Sequence, residues 1–274
     1  MELNRLTVWL AILAFVLQSW CDPLNGSFRD EQNRFPRVRA ARNRSQSHLE
    51  DLFKKAGLTY PPRRIFLRLF KLEAECELWA AATVDGKLTK IKTYAICASS
   101  GELGPKRREG DLQVPEGFYH ISVFNPYSNF HLSLKINYPN ASDRILSDHR
   151  RPGGDIFIHG SCVTIGCIPL RDGPIEEIYL AAVDARSNGQ VRIPVHIFPG
   201  RMGTLKSQLE NFSRTKPPLQ AFWENLQEGF LYFETKKRLP KITVDGNGRY
   251  HFHDAVYPGS PLELRPSAQV EATF

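Results

Sequence analysis

Alternating apolar and polar positions organise the middle of the chain. Ile65 to Phe70, Glu77 to Val84 and Lys87 to Cys97 read as strands, the last two joined at Asp85-Gly86, a pair that favours a tight hairpin turn. Phe118 to Phe124 and Phe130 to Ile136 form a second pair, Asp155 to His159 is a short apolar run entered from Gly153-Gly154, and Val191 to Phe198 is a returning strand. Helical spacing occupies the rest. Ser47-x-x-Glu50 is a capping-box pattern opening a short helix through Leu49, Leu52, Phe53 and Ala56, with Gly57 as its stop. Asp172 caps another, whose inner stripe is Ile175, Ile178, Tyr179 and Ala182. Beyond Gly200 helices are expected around Leu205 to Phe212 and Leu219 to Phe233, followed by a hairpin at Asp245-Gly246-Asn247-Gly248. The expected fold class is mainly β with added helices.

The first residues have a different pattern. Arg5 precedes an apolar run from Leu6 to Leu17, short for a membrane span and suited to a secretory h-region. Residues 1–20 are therefore read as an export signal or N-terminal anchor, with lipidation at Cys21 as a further option, and the destination is the periplasm or cell envelope. Residues 21–62 read as a basic linker and short helix. The net charge of +7 is concentrated here, because Arg29 to Lys71 holds twelve Lys and Arg against four acids. Such a segment can lie against an anionic membrane surface or wall polymer, or be a solvated linker with local ion pairs. No aromatic residues interleave with the cations from Arg37 to Arg44, so nucleic acid is not an expected partner.

Chemistry enters at Gly153 to Leu170, where His159 ends a strand-like run and Cys167 follows eight residues later, behind Gly166. A thiol is only slightly ionised near neutral pH, so a nucleophilic cysteine needs a base or imidazolium within reach. His159 is the candidate base, Cys167 the candidate nucleophile, and the backbone amides of Gly166 and Cys167 are candidate oxyanion donors. Spacing alone more often marks two core or strand residues. Five cysteines in an exported chain raise the question of disulfides. Cys76 and Cys97 read most simply as small buried apolar residues, with a bridge between them as the lesser option, while Cys162 either competes with Cys167 or bridges to it. His251 and His253 share a strand face without a third ligand, so neither a metal nor a cofactor is expected.

The stretch Ile158-His159-Gly160-Ser161-Cys162-Val163-Thr164-Ile165-Gly166-Cys167 resembles the signature of the YkuD-type L,D-transpeptidases, in the form found in their YafK-like branch. Further agreement lies in Ile96 to Lys106, Glu109-Gly110-Asp111, Val114-Pro115-Glu116-Gly117, Phe130 to Leu134 and Asn137-Tyr138-Pro139. Ile165 stands where the family usually has a second histidine, and Pro169 where it usually has an arginine. The resemblance implies a β-sandwich or barrel-like catalytic domain over residues 63–199, with residues 200–274 as a helical extension, hairpin and tail. It also implies a cell-wall cysteine acyltransferase: the Cys167 thiolate attacks the diaminopimelate–D-Ala bond of peptidoglycan stem peptides and passes the acyl group to an amine. The alternatives are a hydrolase or amidase at the diaminopimelate bond, including release of a wall-tethered lipoprotein, and a non-catalytic wall-binding protein. Lys106, Arg107, His131, Tyr138 and Arg171 are the candidate substrate contacts, Arg171 as a substitute for the absent arginine.

Overall fold

The computed structural model describes residues 26–204 and 206–255, so the segment read as an export signal or anchor, Cys21 and the tail from residue 256 lie outside the described residues. No described helix is long and apolar enough to cross a membrane. The expectation of a β core with added helices is met. One mixed sheet of eight strands runs in the order β3-β2-β1-β8-β4-β5-β6-β7. These are β1 (Arg64–Phe70), β2 (Glu75–Ala81), β3 (Thr89–Ala95), β4 (Gly117–Asn125), β5 (Ser133–Ile136), β6 (Phe157–His159), β7 (Ile168–Pro169) and β8 (Pro194–Phe198). A separate hairpin joins β9 (Lys241–Val244) to β10 (Tyr250–His253).

β1 shows why both faces of the sheet are covered. Ile65, Leu67 and Leu69 belong to one core, Phe66 and Phe70 to clusters on the opposite side, as the two-residue period of a strand requires. Over the first face lie α2 (Pro36–Lys55) and α4 (Asp172–Ser187). Over the second lies α6 (Pro217–Lys236), preceded by α5 (Lys206–Ser213), whose aromatic residues pack on Phe70, Phe118 and Phe198. Arg68 is buried there, ion-paired to Glu234 at 2.5 Å and ringed by Phe70, Phe198, Phe230 and Phe233. Glu116 receives both Lys71 Nζ (2.9 Å) and Trp223 Nε1 (2.6 Å), tying this extension to the loop that precedes β4.

The basic stretch departs from its expected form. Instead of a linker followed by a helix at Ser47, it folds as α1 (Phe28–Asn33), capped by Ser27, and the long α2, which Pro36 opens. Ser47 and Glu50 lie in mid-helix. The cause is distant in sequence: α4 carries buried acids that these cations satisfy. Arg42 grips Asp184 through two bonds of 3.0 and 2.9 Å, Arg29 reaches it at 3.3 Å, and Arg44 meets Glu176 at 2.5 Å. With Arg68 and Lys71 also paired inward, several of the cations expected either to face an anionic surface or to lie in a solvated linker are neutralised within the fold. A short helix, α3 (Ala141–Leu146), was not evident from apolar spacing; it is set by a reciprocal cap between Asn140 and Asp143.

Candidate active site

The sheet aligns the two candidate catalytic residues. β6 and β7 run in parallel, with Ile158 opposite Ile168 and His159 opposite Pro169. Ile158 and Ile168 point into the core. The alternation therefore sends Phe157 and His159 to the other face, and Cys167, one step before Ile168, stands beside Phe157. His159 and Cys167 both line one open groove of about 660 Å³. His159 is 2% exposed; Cys167 is half-buried at the groove wall.

Hydrogen bonds fix the imidazole. Its Nδ1 lies 2.5 Å from the Gly160 carbonyl, which can only accept, so Nδ1 carries the proton and Nε2 keeps the lone pair. Burial pulls the His159 pKa below the ordinary value, with the Gly160 carbonyl partly opposing. Burial likewise pushes the Cys167 thiol up, offset in part by the Phe157 amide and by Lys106. Both groups line the groove in surroundings that favour their neutral forms.

The loop from Gly160 to Gly166 is heavily constrained. A Cβ on Gly160 would lie 2.6 Å from Asp172 Oδ1 and 2.8 Å from the Phe130 carbonyl, so only glycine fits. Asp172 begins α4, but its side chain accepts the Ser161 amide at 2.8 Å, and Arg171 holds the N-cap position. Thr164 Oγ1 accepts the Gly166 amide at 3.1 Å and donates to the Cys167 carbonyl at 2.7 Å. The Gly166 N–H, expected at an oxyanion, is thus committed to the loop, which leaves the Cys167 amide as the remaining candidate. Non-glycine residues with left-handed φ surround the site: Asp155 (55°), Ser161 (61°), Arg171 (59°) and His131 (69°). Strain of this kind persists only where neighbouring bonds over-determine it, and it concentrates at functional sites.

The cysteines pair unexpectedly. Cys97, expected as a buried apolar residue or a partner of Cys76, is bonded to Cys162, with 5.7 Å between Cα atoms. The Cys97 amide also donates to the Pro169 carbonyl at 3.0 Å, which places this segment against the end of β7 and within reach of the loop. Cys162 therefore neither competes with Cys167 nor bridges to it. Of the described cysteines only Cys76 and Cys167 are free, and Cys76 is buried.

The candidate substrate contacts separate. Lys106 lines the groove, its Nζ held by Asp111 at 2.6 Å and the Arg108 carbonyl at 2.9 Å. Arg107 is directed to Asp143 at 3.2 Å and over Phe222, outside the groove. Tyr138 is buried, donating to the Pro152 carbonyl at 3.0 Å. His131 meets Glu176 at 2.7 Å behind the wall, and Arg171 serves the start of α4. Sequence reasoning missed Phe130 as a partner of the base: its ring lies 4.8 Å from that of His159 and lines the groove. It also missed Thr164 and the loop-holding role of Asp172. An Asp at the start of a helix and a Thr-x-Gly turn are signals too common to have marked them.

Comparison with known proteins places the chain in a family. Residues 75–197 match the model of the YkuD family, the L,D-transpeptidase catalytic domain. YafK of Escherichia coli (strain K12), assigned provisionally to the L,D-transpeptidases, is 36% identical over 188 residues, 68% of this chain and 72% of its own length. Among solved structures, the helical cell shape determining protein Pgp2 from Campylobacter jejuni overlays at a TM-score of 0.40 with 19% identity, covering 66% of this chain and 73% of that one. Bd1075 of Bdellovibrio bacteriovorus gives 0.36 with 20% identity over 57% of each chain. The sequence matches carry one conclusion: the chain belongs to the YkuD family of L,D-transpeptidase catalytic domains.

Proposed function

We propose that the protein is an exported acyl-transfer enzyme acting on peptidoglycan stem peptides. The observation that carries this reading is the convergence of the His159 imidazole and the Cys167 thiol on one groove, the imidazole fixed in the tautomer a base requires. The Cys167 sulfur attacks the carbonyl between diaminopimelate and D-alanine while its proton passes to His159 Nε2. The Cys167 amide supports the developing oxyanion. The C–N bond then breaks, the imidazolium returns the proton to the departing D-alanine amine, and a thioester remains. Lys106, charged and fixed by Asp111, is placed to receive a carboxylate of the peptide. An amine that enters completes a transpeptidation; water that enters completes a hydrolysis.

Incubation with purified tetrapeptide muropeptides, read by mass, tests this directly. Free D-alanine with 3-3 dimers is the expected product. Tripeptide without dimers, or release of a wall-linked lipoprotein, assigns the thioester to water instead. No D-alanine and no cleaved bond from a protein whose Cys167 alkylates normally overturns the reading.

A further inference from the structure

We infer that Arg37, on α2 and outside the residues that match the family model, is a positioning residue that holds Phe130 against the His159 imidazole. The inference rests on the reading of His159 as the base. Arg37 Nη1 lies against three carbonyls of one turn: Ser128 at 2.7 Å, Pro126 at 3.4 Å, and His131. Residues 128–130 of this turn line the groove. At its far end His131, in a left-handed conformation, bonds Glu176, and Glu176 also receives Arg44 of the same helix. At its near end Tyr127 meets Phe35 edge to face at 5.0 Å. The wall is therefore gripped at two points by the segment that enters and forms α2 and at a third by Glu176 of α4, on which α2 is docked through Arg42 and Asp184.

The consequence is local and specific. Phe130 covers one face of an imidazole whose other edge is fixed by Gly160, so releasing the turn exposes His159 to water and frees its ring. Arg39 provides the control. It lies on the same helix and also binds two carbonyls, Asn33 at 2.9 Å and Arg34 at 2.8 Å, but it does not touch the groove wall.

The experiment compares Arg37→Ala, Arg37→Lys and Arg39→Ala in the full chain, reading kcat and KM on muropeptides, Tm, and the His159 titration by NMR without substrate. Arg37→Ala is expected to lower kcat on the order of tenfold with little change in KM, and to move the His159 titration upward. Arg37→Lys restores part of both. Arg39→Ala lowers Tm comparably with kcat and titration unmoved. Phe130→Leu, which leaves the helix contacts in place, reproduces the titration shift and serves if Arg37→Ala does not fold. An unmoved titration in both Arg37→Ala and Phe130→Leu, or an equal kcat loss in Arg39→Ala, overturns the inference. The titration needs no substrate, so it decides this point even if the wild-type protein leaves muropeptides intact, an outcome that counts against the proposed function alone.

Discussion

The two walls of the groove are held by opposite strategies. The wall from Gly160 to Cys167 is fixed from nearby and covalently: Cys97 bonds Cys162, Asp172 takes the Ser161 amide, and Thr164 closes the turn before Cys167. The facing wall, residues 126–131, has local bonds, from the Tyr127 amide to Asn125 Oδ1 and from the Phe130 amide to Ser128 Oγ, but no covalent staple. It depends on Arg37, on Glu176 with its Arg44 partner, and on Phe35, groups from the N-terminal helices and α4. One wall carries the proposed reacting atoms and is stapled by a disulfide, while the other packs on His159 and takes its longer-range support from the surrounding helices.

The comparison breaks most completely at the first wall's chemistry. Cys167→Ser and His159→Ala are each expected to lower turnover at least ~10³-fold with Tm near wild type, measured on muropeptides and by thermal melt. Residual turnover in Cys167→Ser would move the nucleophile elsewhere. Next is the covalent staple. Reduction, or the double substitution of Cys97 and Cys162 by Ser, is expected to cost about 2–4 kcal/mol of stability, because the closed loop spans 65 residues. Activity should fall with it, since the loop joins base to nucleophile. A reduced protein with unchanged melt and turnover would show that the local hydrogen bonds suffice.

The same contrast explains what the sequence revealed. His159, Gly160, Gly166 and Cys167 were legible because their chemistry and spacing are local, and the strands were legible because period-two alternation is written into consecutive residues. The helical N-terminal segment was not. Its cations read as a surface-facing or solvated linker because the acids that neutralise them, Glu176 and Asp184, lie more than 100 residues away, and a helix whose stripe is broken by buried ion pairs has weak apolar periodicity. Cys97 was read as apolar for a related reason: a strand-end cysteine shows nothing of a partner 65 residues on. Whether Arg107, Tyr138 and His131 reach the groove is decided by side-chain direction, which Asp143, Pro152 and Glu176 control from elsewhere.

Glu176 tests the second wall. Burial raises its pKa, but hydrogen bonds from Arg44, His131 and Ser45 outweigh that and hold it below the usual carboxylate range. A lowered folded-state value means that its contribution is present above the unfolded pKa, near 4.5, and is lost as pH falls through the folded value. Glu176→Gln is expected to cost about 1–3 kcal/mol at neutral pH and to flatten the loss of stability on acidification, read from urea melts across pH. An unchanged acid limb would remove Glu176 from the support of this wall.

The smallest effect separates neutral-pair chemistry from a standing ion pair. Burial lowers His159 and raises Cys167, so base and thiol are both neutral across the physiological range. Acylation by general base needs only the neutral imidazole, so kcat/KM should rise through a titration below pH 6.5, the ordinary histidine value, and then stay level to pH 8. Alkylation of Cys167 by a small reagent needs free thiolate. With the thiol above its ordinary value of 9, that rate should climb about tenfold per pH unit from 7 to 9. The two profiles therefore diverge between pH 7 and 9. If alkylation instead levels off near pH 6–7 alongside turnover, His159 and Cys167 rest as imidazolium and thiolate, and the desolvation that the two walls impose is not what sets their charge.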